Sequence, residues 1–176
     1  MKRFKFLLVL AVALISATAV FTSCSKDDDG SDSGSGSGSG YYDVIQINGT
    51  SYACYGYRMP ITYESSWNTS THSGELLLPC GKLSDAQKGE FDYDDMYSIE
   101  LSGSKELTKG CNLKDFNPTF TDLGVCYDLP YVSGTATVVD KQDDEYITVK
   151  FTSCKFAQGS SSYTLDGTVQ LSLDED

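Results

Sequence analysis

Apolar and polar residues alternate with period two along much of the second half of the chain. In SSYTLDGTVQLSL, residues 161–173, Tyr163, Leu165, Val169, Leu171 and Leu173 share one parity and Gly167 fills the single gap, which gives a strand one apolar face. In EYITVKF, Ile147, Val149 and Phe151 share a parity, whereas Cys154 and Phe156 fall on the other. That switch predicts a β-bulge or a strand end across Thr152–Ser153. The β-branched segment VSGTATVVD precedes them, and DKQDDE supplies a polar hairpin connection. Together these segments predict a three-strand antiparallel meander closing the domain.

Earlier, DVIQI and SYACYGY flank Asn48–Gly49, a pair that tolerates positive φ in a type I′ turn and so predicts a hairpin. GELLL and MYSIEL predict further strands. Helix is expected only at LSDAQKG, where Ser84 and Gln87 have capping-box spacing and Gly89 would end the turn. Many short strands and at most one short helix predict an all-β fold, an antiparallel β-sandwich or a flattened β-barrel.

The start of the chain obeys different rules. Lys2, Arg3 and Lys5 precede a run from Phe6 to Phe21 that is apolar except for Ser16 and Thr18, and Thr22–Ser23 stand before Cys24. A basic segment, an apolar segment and small residues predict a cleaved secretory signal over 1–23. The run is shorter than the roughly 20 residues a spanning helix needs. From Gly30 to Gly40 the chain is Gly and Ser with one Asp, which cannot bury enough apolar surface to order itself. Residues 24–40 are therefore expected to form a flexible tether, and 41–176 a single domain.

Phe21-Thr22-Ser23-Cys24 resembles the lipobox of bacterial lipoproteins, with Phe21 where leucine is commonest. The resemblance implies that Cys24 carries lipid and becomes the new amino terminus, anchoring the chain without a transmembrane helix. Ser25-Lys26-Asp27-Asp28-Asp29 is similar to the surface-export signal of Bacteroidetes lipoproteins, which implies an outer-membrane protein facing the cell exterior. The domain itself, closing with ITVKF and YTLDGTVQLSL, looks like the small all-β lipoproteins of unknown function in that group, and no catalytic motif carries over.

Charge narrows the partners. Loss of 1–23 removes Lys2, Arg3 and Lys5, leaving 10 basic residues against 25 acidic ones, a net of −15. Such a surface repels phosphate backbones, so nucleic acid is not an expected partner.

Five cysteines follow Cys24, and an oxidising compartment predicts up to two disulfides among them. The expected pairs are Cys111 with Cys126, across the polar loop NLKDFNPTFTDLGV, and then Cys54 with Cys154, each in an expected strand. No C-x-x-C spacing is present, and the one histidine, His72, lies in the polar stretch NTSTHSG, so neither a zinc site nor a Cys-His nucleophile is expected. Acidic clusters occur at FDYDD and DKQDDE. Asp92, Asp94 and Asp95, or Asp140, Asp143, Asp144 and Glu145, offer calcium-type oxygen ligands without an EF-hand loop, and are expected instead to be solvated turns. No phosphate loop, G-x-S-x-G or dinucleotide fingerprint is present, so neither enzyme activity nor a cofactor is expected, and a hydrolase using an acidic pair stays a minor alternative.

Aromatic residues supply the binding candidates: Tyr55, Tyr57 and Tyr63, followed by Trp67 in polar company. Flat faces with a polar edge suit stacking on sugars or docking to partners. Tyr55 and Tyr57 share a parity with Ala53 and Met59, which makes them core candidates too. The expected function is a non-catalytic surface module that binds a glycan or host molecule, with an assembly subunit contacting another envelope protein as the alternative.

Overall fold

The computed structural model describes residues 42–57, 63–90, 95–125 and 127–176. Within them the strands are β1 (Asp43–Ile47), β2 (Thr50–Cys54), β3 (Ser65–Asn68), β4 (Ser73–Lys82), β5 (Asp95–Ser102), β6 (Thr119–Asp122), β7 (Tyr127–Gln142), β8 (Tyr146–Gln158) and β9 (Ser161–Glu175). A single helical turn, α1 (Leu83–Ala86), follows β4, and a 3₁₀ turn at Leu113–Phe116 precedes β6. The fold is all-β, as the period-two pattern predicts.

Pairing follows the order β1, β2, β4, β5, β6, β7, β8, β9 and returns to β1, every neighbour antiparallel. The wall is therefore a closed barrel. β3 enters it as a wedge, antiparallel to β4 and parallel to β9, and fills the wall where the β1–β2 hairpin stops. Closure removes the unpaired edges that an open sheet must otherwise protect.

The local signals fold as read. Asn48 and Gly49 have φ of 52° and 78°, the two positive values a type I′ turn requires, and Ile47 faces Thr50 across it. Leu165, Val169, Leu171 and Leu173 of β9 and Ile147, Val149 and Phe151 of β8 are buried in one core. Between Phe151 and Cys154 the register slips, with Ser153 at φ 43°, so Cys154 and Phe156 turn inward again. On the facing strand Gly134 takes φ +89°, and a Cβ there would lie 2.0 Å from the Ser153 carbonyl oxygen.

Several expectations need correction. The N-cap of α1 is Lys82, which makes no side-chain cap, so Ser84 is not the capping residue. Gly89 does end the turn, at φ +81°, with its N–H donated to the Ala86 carbonyl. The loop at 112–125 is more regular than its composition suggested: Leu113 and Phe116 of the 3₁₀ turn, with Phe120 of β6, enter the core. Trp67 is buried, 1% exposed, because β3 turns Ser65 and Trp67 inward, and its ring meets Phe116 edge to face at 5.7 Å.

The expected disulfides are not formed. Cys54, Cys80, Cys111 and Cys154 are free thiols, and Cys126 lies outside the described residues. Cys54 faces Asp43 across β1, whereas Cys154 faces Leu165, which pairs with Ile47. That offset of four residues along β1 is about 13 Å, beyond the reach of a disulfide. Cys111 lies beside Thr137 and Val138 of β7, about 30 Å along that strand from Tyr127. Cys24, Lys26, Asp27, Asp28, Asp29, Asp92 and Asp94 also lie outside the described residues.

Two substitutions test this architecture. Trp67→Ala leaves a cavity beside Phe116 and should destabilise by about 3–5 kcal/mol. Gly134→Ala combines a positive φ with a backbone clash and should cost about 2 kcal/mol or more. Both should appear as lowered denaturant midpoints with the slope unchanged.

Candidate functional site

Three hairpin turns meet at one end of the barrel: Asn48–Gly49 between β1 and β2, residues 123–125 after β6, and Gly159–Ser160 between β8 and β9. The described chain enters at the other end of β1, beside Tyr42. Between the turns lies an open cleft of about 260 Å³, lined by Asn48, Asp122, Val125, Tyr127, Ser161, Ser162 and Tyr163.

Aromatic packing builds its floor. Tyr163 stands 5.0 Å from Phe120, ring centre to ring centre, Phe120 stacks on Phe156 at 5.4 Å, and Tyr97 stacks on Phe120 at 5.5 Å. This row fixes the Tyr163 ring while its hydroxyl reaches the cleft and donates to Asp122 Oδ2 at 2.5 Å. The other carboxylate oxygen, Oδ1, accepts the Gly124 N–H at 3.0 Å and so shapes the β6–β7 turn. On the opposite wall Asn48 accepts from the Thr164 N–H at 2.9 Å and donates its Nδ2 to the Ser162 carbonyl at 3.2 Å, tying two hairpins together.

The rim is apolar. Tyr127 is 59% exposed, Val125 52% and Leu123 42%, three exposed apolar side chains within five residues. The cleft thus offers a flat aromatic face and aliphatic groups beside a carboxylate, an amide, two serines and a phenol. The bond to Asp122, with partial burial, pushes the Tyr163 phenol up to about 12, so it stays protonated and acts as a donor near neutral pH. Asp122 is the one carboxylate among the lining residues, whereas a glycosidase-type mechanism uses a pair.

The residues singled out from sequence do not gather here. Trp67 is inside the barrel, and Tyr55 is buried outside the wall, under α1 with Ala53 and Ala86 and edge to face with Tyr42 at 6.1 Å. Tyr57 lies at the far end, donating its hydroxyl to Glu145, which raises its pKa. Tyr63 is exposed but does not line the cleft.

The acids of DKQDDE meet cations, hydroxyls and, at Asp144, the Glu175 backbone N–H rather than an open coordination site. Asp140 bonds Lys109 at 3.2 Å and Tyr146 at 3.0 Å, Asp143 bonds Lys141 at 2.7 Å, and Lys141 also reaches Glu175 at 2.6 Å. Lys109, followed by Tyr146, holds Asp140 below the usual carboxylate range. Among the described residues no group of three or more His, Cys, Asp or Glu is arranged to hold a metal. His72, at φ 52° in the β3–β4 turn, pairs with Glu106 at 3.1 Å.

A second depression of about 360 Å³ lies on the wall, where Glu75 faces Glu100 across β4 and β5. It presents like charges and no aromatic face. The cleft at the turns was hidden in the sequence because its residues come from three separate hairpins. One signal was available: LGVCY puts apolar side chains into a turn, where polar ones are usual.

No protein-family model matches this chain, nor does any curated protein or solved structure.

The Tyr163–Asp122 bond makes a titration prediction. A tyrosine with a raised folded-state pKa contributes stability that is complete below about pH 10 and lost as pH rises toward about 12. Ultraviolet titration of the native protein should therefore show a tyrosine ionising near 12 that disappears in Tyr163→Phe. Asp122→Asn, with a weaker acceptor, should return it toward 10; a titration unchanged by either variant contradicts the arrangement.

Proposed function

We propose that this chain is a lipid-anchored, non-catalytic binding protein of the outer-membrane surface, and that its turn-end cleft takes a neutral saccharide. The observation that carries this reading is exposed Tyr127 standing beside the Asp122–Tyr163 pair and Asn48. A sugar ring offers one apolar face for stacking and a rim of hydroxyls for carboxylate, amide and serine groups. Asp122 is already held by a phenol and a backbone N–H, which suits orientation of a ligand rather than proton transfer. Neither a cofactor nor nucleic acid has a part in this reading.

The exposed row Leu123, Val125 and Tyr127 favours a second reading, in which the same end docks against another envelope protein. The two separate by partner. With the full-length chain and an oligosaccharide panel, a ligand at a hundred times its dissociation constant should stabilise the fold by about 2.7 kcal/mol. Tyr127→Ala should weaken that ligand about tenfold or more, with the melting temperature of the free protein unchanged. If no saccharide binds, and one protein co-purifies stoichiometrically in a Tyr127-dependent way, the docking reading replaces the first.

The anchoring has its own test. Cells fed labelled palmitate should label the chain, and Cys24→Ser should abolish the label. Protease added to intact cells should remove the domain, whereas full protection contradicts exposure on the exterior.

A further inference from the structure

Cys54 of β2 lies directly opposite Cys80 of β4. One residue on, the Tyr55 N–H bonds the Pro79 carbonyl at 2.8 Å, which makes 55 and 79 a hydrogen-bonded pair and 54 and 80 the adjoining non-hydrogen-bonded one. Non-hydrogen-bonded pairs bring their Cα atoms to about 4.5 Å, inside the range that a disulfide spans. Both side chains enter the same core and both are 0% exposed. Pro79 has no N–H to return the bond to Tyr55, and β2 ends at Cys54. The pair thus sits where the ladder between the hairpin and the wall stops, the place where a covalent link would add most to the pairing.

We propose that Cys54 and Cys80 are joined by a cross-strand disulfide in the exported protein. The oxidant is a disulfide-bearing donor, protein or small molecule. One cysteine thiolate attacks a donor sulfur and expels the first donor thiolate, leaving a mixed disulfide on the chain. The second cysteine thiolate attacks the chain-side sulfur of that bond and expels the other donor thiolate. The cysteines lose two electrons, the donor gains them, and the two protons from the cysteines leave with the two donor thiols. Because both thiols are sealed in the finished barrel, the exchange belongs to the folding chain, before β2 docks on β4. Once formed, the bond is shielded from reductants until the barrel opens.

Peptide mapping tests this. The full-length chain is refolded in a mixture of reduced and oxidised glutathione, then unfolded in iodoacetamide, digested and weighed. The expected product is the Cys54 peptide joined to the Cys80 peptide, two hydrogens lighter than their sum and alkylated at neither position. Alkylation of both cysteines in the folded product, or Cys54 joined to a different cysteine, overturns the proposal. The same mapping on chain recovered from the envelope of an exporting host needs no refolding and must give the same pair; free thiols at both positions there also overturn it. The oxidised protein should melt about 10 °C above the reduced one. Cys80→Ala should erase that difference and Cys154→Ala should keep it; a difference that survives Cys80→Ala refutes the assignment.

Discussion

Closure of the sheet is the constraint on which everything else in this domain depends. An antiparallel meander such as β7–β8–β9 ends in two open edges, each a row of unpaired N–H and C=O groups. Here β6 pairs with β7 and β1 with β9, and the β4–β5 pairing joins the two halves, so each edge finds a partner within the chain. A closed wall must bend, and the bending is done where side chains permit it. Gly134 and the slipped register at Ser153 turn β7 and β8, and Gly167, at φ +131°, allows the β1 backbone to approach within 2.8 Å of where a Cβ would stand. Short β3 then completes the wall where β1 and β2 run out, with Trp67 as the large side chain that fills the interior behind it.

What the sequence made legible was local. The parity of β8 and β9, the Asn48–Gly49 turn and the slip at Thr152–Ser153 each depend on a few neighbouring residues, and all three fold as read. What it concealed was long-range. Whether Trp67 faces water or core is decided by β9, whose Leu173 pairs with Ser65 more than a hundred residues away, and SSWN is too short to show an alternation of its own. β6 was concealed for the same reason, since TFTD becomes a strand by joining β5 and β7. Tyr55 illustrates a subtler limit: its parity correctly marked it as buried with Ala53, but the covering surface is α1 outside the wall rather than the barrel interior. The cysteine pairings failed likewise, because proximity of Cys54 to Cys80 follows from strand order, which spacing along the chain does not carry.

The cleft was the least legible part because its polar residues serve turns first. Asn48 supplies a positive φ and also bridges to Ser162 and Thr164. Asp122 receives the Gly124 N–H, a role common to aspartate in turns, and holds the Tyr163 hydroxyl as well. A residue justified by its turn attracts no functional attention in one dimension. Bringing three such turns together at one end of a barrel changes their meaning, because their spare acceptors and donors then converge on one volume. The Tyr163 ring belongs to both levels, packed into the aromatic row below and bonded to the carboxylate above.

Charge bears on what such a cleft can hold. The chain carries a formal net charge of −12, and several of its lysines are already paired, Lys105 with Asp115, Lys109 with Asp140 and Lys141 with Asp143 and Glu175. The cleft itself is lined by a carboxylate and no lysine or arginine. Screening at physiological salt shortens the reach of distant charges to about 8 Å, yet Asp122 lies inside that distance of any ligand in the cleft. Sulfated or carboxylated sugars would therefore meet repulsion at the point where neutral hydroxyls would find an acceptor. On the proposed reading the discrimination is electrostatic before it is steric: Tyr127 offers its face to either kind of ring, and Asp122 decides which is retained.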